Sequence, residues 1–399
     1  MSADKLLTAI EAVGKDIRRG GYSRHVFDFA ELELRDWFTE QAIRRGLDVH
    51  TDRNGNMWAW WGGPGPDAVV TGSHLDSVPG GGAFDGPLGV TSALAAVDIL
   101  SAKGFQPSKP LAVVVFAEEE GGRFGVPCLG SRLLTGALDP NRARALRDGS
   151  GTTLAEAAAA AGHRPDLFGP DPDALALIGC FVELHVEQGR GLIDLGGPVA
   201  TGSSIIAHGR YRFSFSGQGN HAGATLIGDR RDPMLPAAAV IAAARRVAAA
   251  TPDARATVGR LVPTPGGTNV IASTVDLWLD ARVAGAGNTA ALVEEIATAA
   301  RRAAADEGCA VTITEESYTD DVVFDESLRG RMDRVLGGIP ALPTGAGHDA
   351  GVLAAHVPSG MLYVRNPTGI SHAPEEFAES ADIEAGAQAL ARVLEELAG

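Results

Sequence analysis

Short apolar runs alternate with helical stretches over the first half of this chain, and the same pattern resumes near residue 325. Few folds accommodate that alternation, because strands separated by helices are joined by crossovers and so run parallel. Ala68–Leu75 (AVVTGSHL), Pro110–Glu120 (PLAVVVFAEEE) and Leu177–Gly189 (LIGCFVELHVEQG) read as strands. Gly89–Gly104 (GVTSALAAVDILSAKG) reads as a helix closed by glycine, and GTTLAEAAAAAG as another. Near the end come a strand at Gly360–Arg365 and a helix over Ala381–Leu397. The pattern predicts an α/β fold, a mostly parallel sheet with helices on both faces.

Between residues 208 and 323 the style changes. Gly209–Gly217 (GRYRFSFSG) alternates polar and apolar side chains, as an antiparallel strand with one wet face does. A helix (PMLPAAAVIAAARRVAAA), strands at Ala256–Val262 and Asn269–Val283, a second helix and the strand CAVTITEE follow. That order, β-α-β-β-α-β, is ferredoxin-like. The chain of 399 residues is longer than one core usually supports. The expected organisation is one domain from residues 1–207 and 324–399, interrupted by an α+β domain over 208–323.

The net charge of −16 argues against nucleic-acid and anionic-membrane partners, which require a basic face. Cys128, Cys180 and Cys309 are far apart and form no CxxC pair, so neither a disulfide frame nor a thiolate zinc site is expected. The N-terminal residues mix acids and bases and lack the apolar core of a signal peptide. The expected location is the cytoplasm.

Four strands of the α/β part end at metal-ligand chemistry. His74 and Asp76 follow AVVTGS, and Glu118, Glu119 and Glu120 follow LAVVVFA. His185 and Glu187 end GCFVEL, and His372 lies just beyond GMLYVRN. Open α/β sheets bind ligands beyond the carboxyl ends of their strands, where these residues converge. Histidine and carboxylate ligands without cysteine suit a catalytic zinc, manganese or cobalt site. Asp85, immediately before a helix in TGSHLDSVPGGGAFDGPLGV, is placed to bridge two such ions. Rival chemistries lack their parts: there is no G-x-S-x-G elbow and no P-loop. Gly217–Gly223 (GQGNHAG) spells a dinucleotide fingerprint, but no helix pattern follows and no βαβ unit surrounds it.

Eight segments in order, GSHLDSVPGGGAFDGPLGV, FAEEEGGRFGVPCLGSR, ELHVEQG, GQGNHAGAT, GGTNVIAS, LDAR, GAGHDA and GISHAPEE, span Gly72 to Glu376. Together they resemble the dinuclear metal amidohydrolases related to aminoacylase and carboxypeptidase. The resemblance is closest to the branch of N-carbamoyl-L-amino-acid hydrolases, yeast-type β-ureidopropionase and allantoate amidohydrolase. It implies two divalent metals, one on His74, Asp85 and His185 and one on Asp85, Glu120 and His372, with Asp85 shared. It implies Glu119 as general base and Asp76 as the residue that orients His74. His185 stands where peptidase relatives carry a carboxylate, which points to the ureido-hydrolysing branch.

The resemblance also assigns His221, Asn269 and Arg282 of the inserted domain, with Gln188 and His348, to a small anionic ureido substrate. His221 and His348 would assist catalysis at the oxyanion. The inserted domain would act as lid and dimerisation domain, so that some of its residues serve the neighbouring subunit. Residue chemistry alone also allows Arg282 to pair with Asp280 or Asp276 on the strand surface. Two segments depart from the family spelling. NHAGATLIGDRRDP lacks the Thr-Pro-Met that commonly follows His-Ala-Gly, and VRNPTGISH replaces a frequent Pro-Ser before the last ligand. All proposed ligands are intact, while the substrate pocket is open to reshaping.

Overall fold

A computed structural model describes the whole chain, Met1–Gly399. It divides into two compact units: Met1–Ser204 with Val323–Gly399, and Ile205–Val322. Strands β1 (Asp48–Thr51), β2 (Met57–Trp61), β3 (Ala68–His74), β4 (Leu111–Phe116), β5 (Ile178–Val186) and β6 (Val199–Ile205) come first. Next come β7 (His208–Ser216), β8 (Asn220–His221), β9 (Arg255–Thr264), β10 (Val270–Ile271), β11 (Thr274–Arg282) and β12 (Ala310–Thr319). Strands β13 (Val322–Val323), β14 (Ala341–Thr344) and β15 (Ser359–Val364) complete the set.

The large sheet has the order β1-β2-β4-β3-β5-β15-β6-β13, with β14 on β6. Its four central strands, β4, β3, β5 and β15, run parallel. Antiparallel strands flank them, β2 beside β4 and β6 beside β15. The centre is parallel for a reason visible in composition: every residue of β3 and β4 is buried, as strands covered on both faces must be. Helix Pro87–Ala102, apolar nearly all round, and helix Ser380–Ala398 pack into one core with Val69, Val113, Leu184 and Leu362. A separate buried cluster gathers Phe27, Leu133, Leu154 and Phe168.

From β3 the chain crosses to β4 on one side and then returns to β5 on the other. That reversal opens a crevice at the carboxyl ends of the parallel strands. The ends are level, because His74 pairs in register with Phe116, and His185 with Tyr363.

The second unit is built on a four-stranded antiparallel sheet of order β12-β7-β11-β9. Alternate residues Tyr211, Phe213 and Phe215 of β7 and Val275, Leu277 and Leu279 of β11 are buried in one cluster with Val240 and Val247. Ile296 and Ala300, from helix Asn288–Asp306, join the same cluster. The long strand expected over Asn269–Val283 is broken at Ala272 and Ser273. Val270 and Ile271 pair with His221 and Asn220 in a separate two-stranded ribbon, and β11 starts afresh at Thr274. No helix is long and apolar enough to cross a membrane.

Candidate active site

At the end of β3 the His74 ring is completely buried, and its Nδ1 donates to the Asp76 carbonyl at 3.0 Å. That bond fixes the tautomer and leaves the Nε2 lone pair facing the crevice. The glycine-rich segment then turns within a few residues to Asp85, which directly precedes helix Pro87–Ala102. Gly86 makes the turn with φ +83°, and a β-carbon there would lie 2.5 Å from Cε1 and Nδ1 of His74. Gly86→Ala is therefore expected to push the His74 ring aside and to lower both bound metal and kcat at least tenfold, roughly, with the fold retained. Metal analysis and circular dichroism of the purified variant check this.

At the end of β4 the three glutamates part. Glu118, at φ +53°, turns back and accepts from the backbone N–H groups of Arg123 and Phe124 at 3.0 and 2.7 Å. Glu119 and Glu120 are left facing the crevice, held by the Asp76 carboxylate, whose two oxygens accept their backbone N–H groups at 3.2 and 3.1 Å. Asp76 thus orients His74 through its carbonyl and the glutamates through its side chain; its carboxylate is 3.5 Å from His74 Nδ1.

On β5, His185 repeats the arrangement of His74, donating Nδ1–H to the Val186 carbonyl at 2.9 Å. Glu187 points elsewhere and accepts from the backbone of Gly191 and Leu192 at the start of a short helix. Gln188 donates through Nε2 to Asp85 Oδ2 at 2.7 Å. His348 is buried, its ring centroid 4.5 Å from that of His185. Beyond β15 the chain reaches His372 in a left-handed conformation, φ +57°, with the side chain half exposed. Three of the chain's six non-glycine residues with positive φ, Glu118, Cys128 and His372, lie in the segments that build this site. Such strain concentrates where a side chain must be aimed.

Two groups of ligand atoms result, His74–Asp85–His185 and Asp85–Glu120–His372, each with all atoms within 4.8 Å of one another. Asp85 Oδ1 is 3.4 Å from His74 Nε2 and 3.2 Å from His185 Nε2; its Oδ2 is 3.4 Å from His372 Nε2. His74 Nε2 and His185 Nε2 are buried without a hydrogen-bond partner. Lone pairs facing a carboxylate at such distances repel unless a cation or a proton lies between them. The residues therefore fit divalent metals of the kind bound by nitrogen and oxygen.

Proton affinities follow the same logic. Burial alone would lower His74, yet Glu119, Asp76 and Asp85 hold it well above its usual value. The hydrogen bond to Asp85, with help from Glu120, pushes His372 up to about 9. Burial and then the charge of Asp85 push Glu120 up to about 7. A raised pKa means a proton is held below that value and must leave before a metal binds. With Glu120 and His372 both holding protons more tightly than usual, metal binding should be at least about tenfold weaker at pH 6 than at pH 8. Calorimetric metal titrations at pH 6 and pH 8, in buffers of different ionisation enthalpy, measure both the weakening and the released protons. Equal affinity at the two values would contradict it.

Residues 70–396 match the Peptidase family M20/M25/M40. The chain belongs to that family. It is 37% identical over 398 residues, 98% of this chain and 97% of the relative, to an N-carbamoyl-L-amino acid amidohydrolase of Geobacillus stearothermophilus. An allantoate amidohydrolase of Bacillus subtilis is 32% identical over 380 residues, 92% of each chain. A crystal structure of a hydantoinase/carbamoylase family amidase from Burkholderia vietnamiensis superposes with a TM-score of 0.88 at 28% identity, covering 99% of this chain and 96% of that one. The mixed α/β fold with a mostly parallel central sheet is the fold of this family.

Of the sequence-derived site residues, His74, Asp76, Asp85, Glu119, Glu120, His185, Gln188, His348 and His372 all belong to the first unit. His221 and Asn269 are neighbours on the β8–β10 ribbon of the second, where Ala222 N–H donates to the Asn269 carbonyl at 2.9 Å. Arg282 ends β11, and its guanidinium makes two bonds to the Asp280 carboxylate, at 2.6 and 2.9 Å.

Three further buried acids escaped the sequence reading. Glu376 accepts from the backbone of Phe84 and Asp85 at 3.0 and 2.9 Å and so holds the Asp85 turn. Glu183 accepts from Ser73 and from the Ala350 N–H. Asp349 meets Ser131 at 2.5 Å. All three lie inside segments that carry the family resemblance, ELHVEQG, GAGHDA and GISHAPEE, but their spacing did not mark them as supports of the site.

Proposed function

We propose that this site hydrolyses the ureido carbon–nitrogen bond of an N-carbamoyl-L-amino acid or a close ureido acid, releasing ammonia and carbon dioxide. One observation carries the reading: two ligand groups meet in Asp85 beside a buried carboxylate, Glu119, that belongs to neither. The full-length likeness to the Geobacillus stearothermophilus enzyme supplies the substrate class.

His74, Asp85 and His185 would hold one divalent metal, and Asp85, Glu120 and His372 would hold a second. Zinc, manganese or cobalt suits these ligands. Bound there, such ions would supply Lewis-acid charge and lower the pKa of a water toward neutrality. Glu119 would take the proton from the attacking water as the water oxygen adds to the ureido carbonyl carbon. It then returns the proton to the leaving nitrogen, and the carbamate left behind loses carbon dioxide. Burial, then the carboxylates of Asp349, Glu120 and Glu183, hold the Glu119 pKa well above the ordinary value against the lowering charge of His74. Burial and the charge of His185 keep His348 neutral, so its imidazole retains an N–H to offer the developing oxyanion, a role shared with His221. Gln188 and Asn269 orient the substrate.

Arg282 is assigned to the substrate carboxylate, because planar bidentate pairing suits a guanidinium. Its pairing with Asp280 holds the guanidinium ready in one orientation. Arg282→Ala should raise KM for carboxylate substrates about tenfold or more with a smaller change in kcat; an unchanged KM would remove the assignment. The inserted unit is further proposed to close as a lid and to join two copies of the chain in a dimer.

Allantoate is the second reading, supported by the Bacillus subtilis relative. A metal-loaded preparation assayed with N-carbamoyl-L-amino acids, allantoate and N-acetyl-L-amino acids separates the possibilities. Ammonia from the first group alone supports the proposal, and ammonia from allantoate alone supports the second reading. Acetate from the third group without ammonia from either of the others contradicts both.

A further inference from the structure

Cys128 takes no part in the mechanism above, yet it occupies a costly conformation at the edge of the site. Its φ of +52° and ψ of +38° lie in the left-handed region, where glycine is the usual occupant. The surrounding turn is pinned by backbone bonds from Cys128 N–H to the Glu119 carbonyl, Leu129 N–H to that of Glu118, and Gly130 N–H to that of Ala117. Those bonds need no side chain at residue 128. A side chain kept at a position that favours glycine calls for a use of its own.

The thiol supplies one. Cys128 is buried, and its Sγ donates to Glu119 Oε1 at 3.3 Å. The other oxygen of the same carboxylate, Oε2, is 3.6 Å from His74 Nε2 and so faces the ligand groups. Burial, then the charges of Glu119 and Asp349, hold the thiol well above its ordinary pKa, so the sulfur keeps its hydrogen and acts as a donor. A thiol is a weak donor, suited to aiming a carboxylate without competing strongly for the proton it must carry.

We propose that Cys128 is a positioning residue for Glu119: its S–H engages Oε1 and thereby turns Oε2 toward the reacting water. The proposal rests on Glu119 being the general base. Its test compares Cys128→Ala, Cys128→Ser and Cys128→Gly with Glu119→Gln in metal-loaded enzyme, reading kcat, KM, metal content and melting temperature. Losing the donor should lower kcat about tenfold in the Ala and Gly variants, with KM changed by less than about twofold and metal content unchanged. The Ser variant, which restores a donor, should recover kcat to within about threefold of wild type. The Gly variant separates positioning from structure, because it relaxes the left-handed backbone: its melting temperature should equal or exceed that of Cys128→Ala while its kcat is equally low.

Wild-type kcat in the Ala and Gly variants, with Glu119→Gln inactive, would overturn the role of Cys128 and leave the base assignment standing. Failure of serine to restore activity would likewise overturn it. Substantial activity in Glu119→Gln would remove the base assignment itself.

Discussion

Glu119→Gln is expected to reduce ammonia release by at least 10²- to 10⁴-fold, roughly the contribution of a positioned general base, while metal content stays at the wild-type level. The substitution keeps size and shape and removes only the ability to accept and return a proton. Retention of metal is the informative half of the result. Glu119 lies in neither ligand group, although its neighbour Glu120 lies in one. Adjacent glutamates would thus divide into base and ligand, a division produced by the chain turning after β4. The Asp76 carboxylate holds that turn by gripping both backbone N–H groups. Metal analysis alongside the kinetic assay checks both halves, and a Gln variant with substantial turnover would reject the assignment.

The second large effect is expected at Asp85. Its two oxygens face different histidines, Oδ1 toward His74 and His185 and Oδ2 toward His372. Removing that carboxylate takes a ligand from both groups at once, leaving only His74 and His185 in one and Glu120 and His372 in the other. Asp85→Ala should therefore retain neither metal after dialysis and lose about 10³-fold or more of its activity. His372→Ala removes a ligand from one group only and should retain one metal. Equal metal content in the two variants, read by elemental analysis, would show that Asp85 is not shared.

Much of this site was legible in the sequence because its parts are local. A buried apolar strand ending in His-x-Asp, and another ending in three glutamates, put ligands at strand mouths whatever the remaining topology. The glycines between His74 and Asp85 announced a sharp turn, and Gly86 shows its cause: only a residue without a side chain fits against the imidazole. Which of the three glutamates faces inward was less accessible to residue chemistry alone, since the left-handed twist at Glu118 decides it. The supporting contacts were hidden for a different reason. Glu376 reaches Asp85 across 291 residues of chain, and Ser131 reaches Asp349 across 218, distances at which periodicity carries no information. The break between β10 and β11 was missed because both pieces have strand chemistry; only their different pairing partners separate them. The Arg282–Asp280 pair, by contrast, was readable from a spacing of two along a strand, which places both side chains on one face.

Ureido hydrolysis at this site is proposed to need two ions, with Asp85 in both ligand groups. Metal-stripped protein titrated in turn with zinc, manganese and cobalt, with ammonia release from an N-carbamoyl-L-amino acid followed at each addition, tests it most directly. No release is expected from stripped protein, and release should rise to a plateau at two equivalents per chain with an accepted metal. A plateau at one equivalent, or undiminished release from the stripped protein, would contradict it.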